Sequence, residues 1–147
     1  MCRLAIAGHA DRFGVSDLEA TREGPSYTVD TLEELHAREP ESELFLIVGA
    51  DVASDFLTWR EPERVLSLAT LAVAQRPGTS RQAVEQTLAE LPSAEAEFFA
   101  MPEIGISSTM LRQRARTGEP TTYLMPDAVR SYIDEHRLYT RSPRHDT

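Results

Sequence analysis

Hydrophobic positions along the chain follow two alternating patterns: short continuous apolar runs, and stretches in which apolar residues recur every three or four positions. The first pattern is typical of strands covered on both faces of a sheet, and the second is typical of helices with one buried face. The predicted strands are 13–19 (FGVSDLE), 43–51 (ELFLIVGAD, expected to be buried on both faces), 70–78 (TLAVAQRPG) and 96–102 (AEFFAMP). The predicted helices are 26–39, 53–59, 61–69, 80–91, one that begins near Ser107 or Ser108, and 126–139.

Residues at the ends of these segments support the predicted boundaries. Ser80 is a good N-cap, Asp30 suits the first turn of its helix, and Pro126 suits a helix start. Buried strands that alternate with helices predict an α/β fold with a parallel sheet covered by helices. In such sheets ligands bind beyond the carboxyl ends of the strands. Three motifs are therefore predicted to share one rim: GAD (49–51), RPG (76–78) and GISST (105–109).

The length and composition fit one globular domain. The chain has 147 residues, of which 41% are hydrophobic and 27% charged, and we predict a single domain over 1–139 with a disordered tail at 140–147. No apolar run approaches the roughly 18–20 residues that span a bilayer, and no signal peptide is evident. The lone Cys2 cannot form an internal disulfide, which favours a cytoplasmic location.

Charge narrows the classes of function. A net charge of −9 argues against a nucleic-acid-binding surface, and no membrane partner is expected. Because all 15 basic residues are arginine, chemistry that needs a lysine, such as a Schiff base or a P-loop, is excluded. A local cluster of arginines can still hold a small anion in an acidic protein. Self-association is left open.

The segment GISSTMLRQRARTG (105–118) combines hydroxyl residues with arginines at a predicted helix start. Such a start exposes unpaired N–H groups and the positive end of the helix dipole, which suit an anion. Arg112 lies one turn in, Arg116 one turn further on the same face, and Arg114 points elsewhere. An arginine near a helix N-terminus is slightly unfavourable on dipole grounds, and a bound phosphate would explain Arg112. A capped, solvated surface helix explains the segment equally well.

Other polar and aromatic residues lie near the same predicted rim. Asp51 ends a strand, where it could bind a ribose or cap the helix at 53. Trp59, the only tryptophan, could belong to the core or offer a flat platform for a planar ring. Tyr27 and Thr28 open a helix, and capping would explain them as well.

Covalent catalysis is not supported by the sequence. His36 and His136 lie on predicted helices and His145 in the tail, where packing or solvated roles are expected, and His9 has no evident partner. No serine lies in a nucleophile elbow, and no Cys–His pair is indicated. The residues favour handling of a nucleotide or phosphate by position and charge.

Five segments together resemble bacterial nicotinate-nucleotide adenylyltransferase, in order and over nearly the whole chain. The shorter motif ISSTxxR is shared by related nucleotidyltransferases, whereas GPSYTVDTL with GAD and the following tryptophan is similar to the nicotinate enzyme in particular. The segments are GPSYTVDTLEEL (24–35), IVGADVASDFLTW (47–59), VAQRPG (73–78), ISSTMLR (106–112) and YLMPDAVRSYIDEHRLY (123–139).

The resemblance implies a Rossmann-like nucleotidyltransferase fold and a reaction. The family transfers AMP from ATP to nicotinate mononucleotide, with Mg²⁺, and forms deamido-NAD and pyrophosphate. It implies that the ATP phosphates bind at the start of the last-but-one helix, and that the nicotinate nucleotide binds near the second motif. The implied phosphate ligands are Ser107, Ser108 and Arg112; Trp59 would stack on the pyridine ring, Tyr27 and Thr28 would contact its nicotinate end, and Asp51 would bind a ribose.

One expected motif of the family does not occur in these 147 residues. It is a G-x-F-D-P-x-H-x-G-H type segment whose histidines stabilise the transferring phosphoryl group, so the catalytic residues are unknown. The resemblance predicts that MCRLAIAG corresponds to the family's second helix and that two strand–helix units, about 60 residues, are missing. Strand 13–19 would then have no neighbour, strand 43–48 would expose an apolar edge, and this chain alone would be impaired as a catalyst.

Two alternatives remain open. The first is a non-catalytic nucleotide-binding protein that keeps the pyridine and phosphate contacts. The second is a related pantetheine-phosphate adenylyltransferase, against which Trp59 and GPSYT (24–28) argue, since that substrate has no planar ring to stack.

Overall fold

The computed structural model describes residues 1–76, 80–91 and 95–139, and two compact units can be distinguished in it. One unit is Asp17–Glu103, and the other combines Met1–Ser16 with the chain from Ile104 onward. The predicted single domain over 1–139 stays a prediction, and the predicted disordered tail at 140–147 lies outside the described residues.

The unit Asp17–Glu103 contains a three-stranded parallel sheet in the order β1-β2-β3. This confirms the α/β class and the parallel sheet. Its helices are α2 (Leu18–Thr21), α3 (Thr28–Arg38), α4 (Ala50–Ser54), α5 (Pro62–Leu68) and α6 (Arg81–Leu88), with a 3₁₀ turn at Phe56–Thr58. Its strands are β1 (Phe45–Gly49), β2 (Thr70–Gln75) and β3 (Ala96–Ala100).

The middle strand β2 forms the centre of the core. Leu71 and Val73 have no exposed surface, and Ala72 and Ala74 are only 7% and 5% exposed. Because neighbouring residues point to opposite faces of a strand, both faces of β2 are covered. The hydrophobic core around them includes Phe56, Val65 and Val84. Because β1 and β2 pair in parallel, with Gly49 opposite Ala74, GAD (49–51) and Arg76 follow neighbouring strands at one edge, as predicted. Residues 77–78 of the RPG motif lie outside the described residues.

Strand β1 differs from the expectation that it is buried on both faces. The side chains of Phe45 and Ile47 are 47% and 67% exposed, whereas Leu46 and Val48 are partly buried against the core. The apolar run identified the strand correctly, but β1 pairs only with β2 among the described strands. The expected apolar edge at 43–48 is therefore confirmed.

The strand predicted at 13–19 is wrong. Leu18–Thr21 forms the short helix α2, and the five residues before it have no regular structure. A strand needs a partner for its backbone groups, and no described strand pairs with this segment. Phe13 is 59% exposed, so burial does not hold the segment extended either.

The second unit contains three helices within the described part of the chain, together with a 3₁₀ turn at Ala7–His9. They are α1 (Cys2–Ala5), α7 (Ser108–Thr117) and α8 (Asp127–Glu135), and α1 contacts α8. Helix α7 ends at Gly118, which takes the left-handed conformation (φ 72°) that glycine adopts at low cost. Among all helices of the described ranges, none is long and apolar enough to cross a membrane.

Candidate functional site

The start of α7 forms as the sequence predicts. Ser107 is the N-cap, and its side-chain oxygen accepts a hydrogen bond from the backbone N–H of Met110 at 3.1 Å. The backbone N–H of Leu111 is bonded to the Ser107 carbonyl. The N–H groups of Ser108 and Thr109 therefore remain for another acceptor, and both residues are exposed. This end of the unit can receive an anion, although the Ser107 oxygen already serves its own helix.

The arginines of α7 have different surroundings. A terminal nitrogen of Arg112 donates to the Thr109 hydroxyl at 3.3 Å, a neutral partner on the same helix. Arg114 instead donates to the carbonyl of Pro120 at 2.9 Å and lies 4.0 Å from Glu119. The prediction that Arg114 points elsewhere is confirmed. Arg112 has no ion pair within the described residues and keeps its charge available for a ligand.

Two of the predicted phosphate ligands border a small apolar cavity. Ser108 and Arg112 lie at a cavity of about 140 Å³ between α7 and α8. A guanidinium beside apolar side chains is less hydrated than one in open solvent, which strengthens its attraction for an anion. The remaining lining residues are Leu111, Met125, Val129, Ile133 and Tyr139.

The unit Asp17–Glu103 has a separate cavity of about 210 Å³, here named the Tyr27–Trp59 cavity. It is smaller than the roughly 300–1,000 Å³ of sites for drug-sized ligands, so its size suits one ring rather than a whole nucleotide. Three of the residues predicted to contact nicotinate meet there. The cavity is lined by Ser26, Tyr27, Thr28, Thr58, Trp59 and Arg60.

The position of Trp59 is fixed by the core. Its ring lies against Phe56, with centroids 5.1 Å apart and planes at 42°, and Phe56 has no exposed surface. The backbone N–H of Trp59 donates to the backbone carbonyl of Phe56 at 3.1 Å. Trp59 thus combines the two roles left open by the sequence, since one part of the ring packs on the core while the residue also lines the cavity.

The other wall of the cavity is the start of α3. Tyr27 is the N-cap of this helix and makes no side-chain capping bond, so the first N–H groups of α3 lack a side-chain acceptor at that position. The segment before Tyr27 is held by Ser26, whose hydroxyl donates to the Glu19 carbonyl at 3.2 Å. Arg22 donates to Thr31 of the same helix at 3.1 Å. Tyr27 therefore occupies the N-cap position, but its side chain does not cap the helix by a hydrogen bond.

Arg60 also lines the cavity and was not identified from the sequence. Its guanidinium carbon lies 4.5 Å from the centroid of the Tyr27 ring, a cation–π contact. The next residue, Glu61, adopts a left-handed backbone conformation (φ 52°) before Pro62, which is uncommon for a residue other than glycine. In the sequence, the one available signal for Arg60 was that it directly follows Trp59.

Asp51 lies in the first turn of α4 and does not cap the helix. Gly49 is the N-cap position, without a side-chain capping bond, so the helix-capping explanation for Asp51 is wrong. The carboxylate folds back over Gly49, where an added Cβ would come within 2.5 Å of its Oδ1 atom. Asp51 is exposed and does not line the Tyr27–Trp59 cavity.

The structure therefore groups the predicted site residues in two sets. Tyr27, Thr28 and Trp59 meet at one cavity of the unit Asp17–Glu103. The phosphate ligands lie together at the start of α7 in the other unit. Thr58, Ser26 and Arg60 are additions that hydrophobic periodicity could not reveal.

His136 has the packing role expected from the sequence, whereas His9 has a partner that the sequence did not indicate. The ring of His136 stacks on Tyr132, with centroids 4.0 Å apart, and its Nδ1 lies 3.0 Å from the Tyr132 carbonyl. His9 contacts Phe13 edge-on at 6.5 Å. Over the described ranges, no group of three or more His, Cys, Asp or Glu side chains is arranged to hold a metal ion.

Comparison with known proteins gives consistent results. Residues 1–114 match the model of the cytidylyltransferase-like family. A probable nicotinate-nucleotide adenylyltransferase of Thermus thermophilus is 47% identical over 139 residues, which cover 95% of this chain and 70% of that protein. A protein of the same name from Leifsonia xyli subsp. xyli is 41% identical over 128 residues, covering 87% and 62%. The chain thus spans about two thirds of the length of these relatives.

The fold is also similar to a solved structure. Plasmodium falciparum nicotinic acid mononucleotide adenylyltransferase, in complex with APC, matches with a TM-score of 0.69 and 20% sequence identity. The match covers 91% of this chain and 70% of that one. A second structure of that enzyme, in complex with NaAD, has a TM-score of 0.68. At this level of identity the likeness concerns the fold.

Proposed function

Because the chain belongs to the cytidylyltransferase-like family and, within it, to the nicotinate-nucleotide adenylyltransferases, we propose that it serves the transfer of AMP from ATP to nicotinate mononucleotide. Family membership confirms the resemblance carried by the five sequence segments. The reaction joins the phosphate of the mononucleotide to the α-phosphorus of ATP, and the bond to the β-phosphate breaks. The products are deamido-NAD and pyrophosphate.

The observation that carries this proposal is the Tyr27–Trp59 cavity. A pyridine ring needs a flat apolar partner, and Trp59 supplies one whose position is fixed by its contact with Phe56 at 5.1 Å. Tyr27 and Thr28, at the start of α3, line the same cavity. The exposed N–H groups of a helix start favour a negatively charged group, which matches the carboxylate of nicotinate.

The phosphate chain of ATP is assigned to the start of α7. The hydroxyl groups of Ser107 and Ser108 and the free N–H groups beside them can donate to phosphate oxygens, and Arg112 adds a charge-assisted bond. These groups act by position and charge, without a covalent intermediate. Asp51, exposed at the carboxyl end of β1, is assigned to a ribose hydroxyl.

Magnesium is assigned to ATP rather than to a protein-built site. Mg²⁺ in such reactions keeps several waters and binds chiefly through substrate phosphates and one or two carboxylates. Bound in this way, the ion would neutralise charge on the phosphate chain. The cytoplasmic location expected from the lone Cys2 stays a prediction.

The test is pyrophosphate release by the full chain with ATP and one of three acceptors: nicotinate mononucleotide, nicotinamide mononucleotide or pantetheine phosphate. Binding of each acceptor is measured in parallel by calorimetry. Preferential binding of nicotinate mononucleotide together with turnover that is confined to the pyridine nucleotides supports the proposal. Tight binding without turnover favours the non-catalytic alternative, and preference for pantetheine phosphate would replace the assignment with the related enzyme.

A further inference from the structure

The connection between α2 and α3 is an irregular segment whose position depends on side-chain hydrogen bonds. Residues 22–27 have no regular structure and lead directly into the start of α3. Within them Gly24 takes a left-handed conformation (φ 84°), which glycine adopts at low cost. Helix α2 has only four residues, too few to be stable alone. The segment 22–27 therefore needs bonds to the rest of its unit to keep one conformation.

Arg22 supplies the central bonds of this kind. One terminal nitrogen of its guanidinium donates to the Thr31 hydroxyl at 3.1 Å, and the other donates to the Glu34 carboxylate at 3.1 Å. The Arg22 side chain is only 20% exposed, so these bonds are stronger than in open solvent. The Thr31 hydroxyl in turn donates to the Glu19 carboxylate at 2.8 Å. These four residues, here named the Arg22 network, tie both α2 and the segment 22–27 to α3.

Helix α3 gives the Arg22 network a fixed support. Val29 and Leu32 are buried on this helix and belong to the hydrophobic core. The bonds to Thr31 therefore attach the segment 22–27 to a helix that is itself packed on the core. Since Tyr27 is the last residue of the segment, the network also restricts the position of Tyr27.

We infer that Arg22 is a positioning residue for the pyridine nucleotide and acts through the segment 22–27 on Tyr27; this inference rests on the proposed function. Neither Arg22 nor Thr31 lines the Tyr27–Trp59 cavity. Both act on the fraction of molecules in which Tyr27 is placed to bind. A ligand that needs one conformation binds with an affinity reduced by the fraction of molecules in that conformation. Loss of the Arg22 network should therefore weaken binding of the pyridine nucleotide.

The experiment measures the binding of nicotinate mononucleotide and of MgATP to variants of the full chain by calorimetry. Arg22→Gln removes the charged donor, Thr31→Val removes the hydroxyl that links Arg22 to Glu19, and Thr31→Ser keeps that hydroxyl. The control is Arg38→Gln, because Arg38 also pairs with Glu34, at 2.6 Å, but from a position that is 58% exposed in the last turn of α3. Thermal unfolding checks that each variant is folded.

The expected result is a rise of about tenfold in the dissociation constant for nicotinate mononucleotide in Arg22→Gln and in Thr31→Val. Thr31→Ser and Arg38→Gln should bind this nucleotide as the unaltered chain does. All variants should keep their affinity for MgATP, which is assigned to the start of α7. The double variant Arg22→Gln/Thr31→Val should bind little more weakly than Arg22→Gln, because both changes break the same contact.

The opposite results distinguish the positioning role from the proposed function. If the unaltered chain binds nicotinate mononucleotide and folded Arg22→Gln binds it equally well, the role of Arg22 is overturned while the proposed function stands. Thr31→Val decides in the same way if Arg22→Gln does not fold. Equal weakening of both ligands, or an equal effect of Arg38→Gln, would show a general loss of stability and overturn the positioning role. If the unaltered folded chain does not bind nicotinate mononucleotide, both are overturned.

Discussion

Replacement of Arg112 by glutamine separates ligand binding from stability. Among the described residues, Arg112 donates only to the neutral Thr109 hydroxyl, at 3.3 Å, so its loss should lower the free energy of unfolding by less than about 1 kcal/mol. A hydrogen bond between a guanidinium and a phosphate oxygen contributes about 1.5–3 kcal/mol. The dissociation constant for ATP should accordingly rise about 10- to 150-fold.

Arg114, two residues further on, provides the matched control for this experiment. It donates to the Pro120 carbonyl at 2.9 Å, so Arg114→Gln should reduce stability and leave the affinity for ATP nearly unchanged. Both constants are measured on the full chain, the first by calorimetry with MgATP and the second by urea unfolding. Equal losses of ATP affinity in the two variants would refute the assignment of Arg112 to the phosphate chain.

Three further predictions concern the folded chain. Ser107→Ala should lower the free energy of unfolding by about 1 kcal/mol, since the Ser107 side-chain oxygen accepts from the Met110 N–H at 3.1 Å. Ser107→Asp should preserve stability and weaken ATP binding. Unchanged stability in Ser107→Ala would contradict the capping role. Leu71→Ala, at a site with no exposed surface, should cost about 2–5 kcal/mol in urea unfolding, and a loss below about 1 kcal/mol would be inconsistent with the core described. Ile47→Lys changes a side chain that is 67% exposed, so it should leave the free energy of unfolding almost unchanged and reduce self-association in sedimentation measurements. Increased association would argue against self-association through the exposed apolar residues of β1.

Much of the fold was predictable because local pattern and tertiary structure agree. The four central residues of β2, 71–74, are apolar and buried, and Ser80 caps α6 by accepting from the Ala83 N–H at 3.2 Å. Residues 13–19 show where local pattern fails. Alternation in a short segment indicates a strand only if a partner strand is available, and the helix Leu18–Thr21 forms instead.

Some residues of the candidate site were likewise predictable from local sequence, and others were not. The start of α7 was predictable because Ser107 carries a local capping signal that the structure reproduces. Arg60 was not, since its contact with Tyr27 spans more than 30 positions along the sequence. Periodicity reports which face of an element is buried. It does not report which side chains from separate elements converge on one cavity.

The central claim is that a pyridine nucleotide binds against Trp59, and the intrinsic fluorescence of the chain tests it directly. Trp59 is the only tryptophan, so emission excited at the tryptophan band comes from the proposed platform alone. Titration with nicotinate mononucleotide should give saturable quenching, because the ring stacks on the indole. A folded chain whose emission shows no saturable change over the titration would contradict the account.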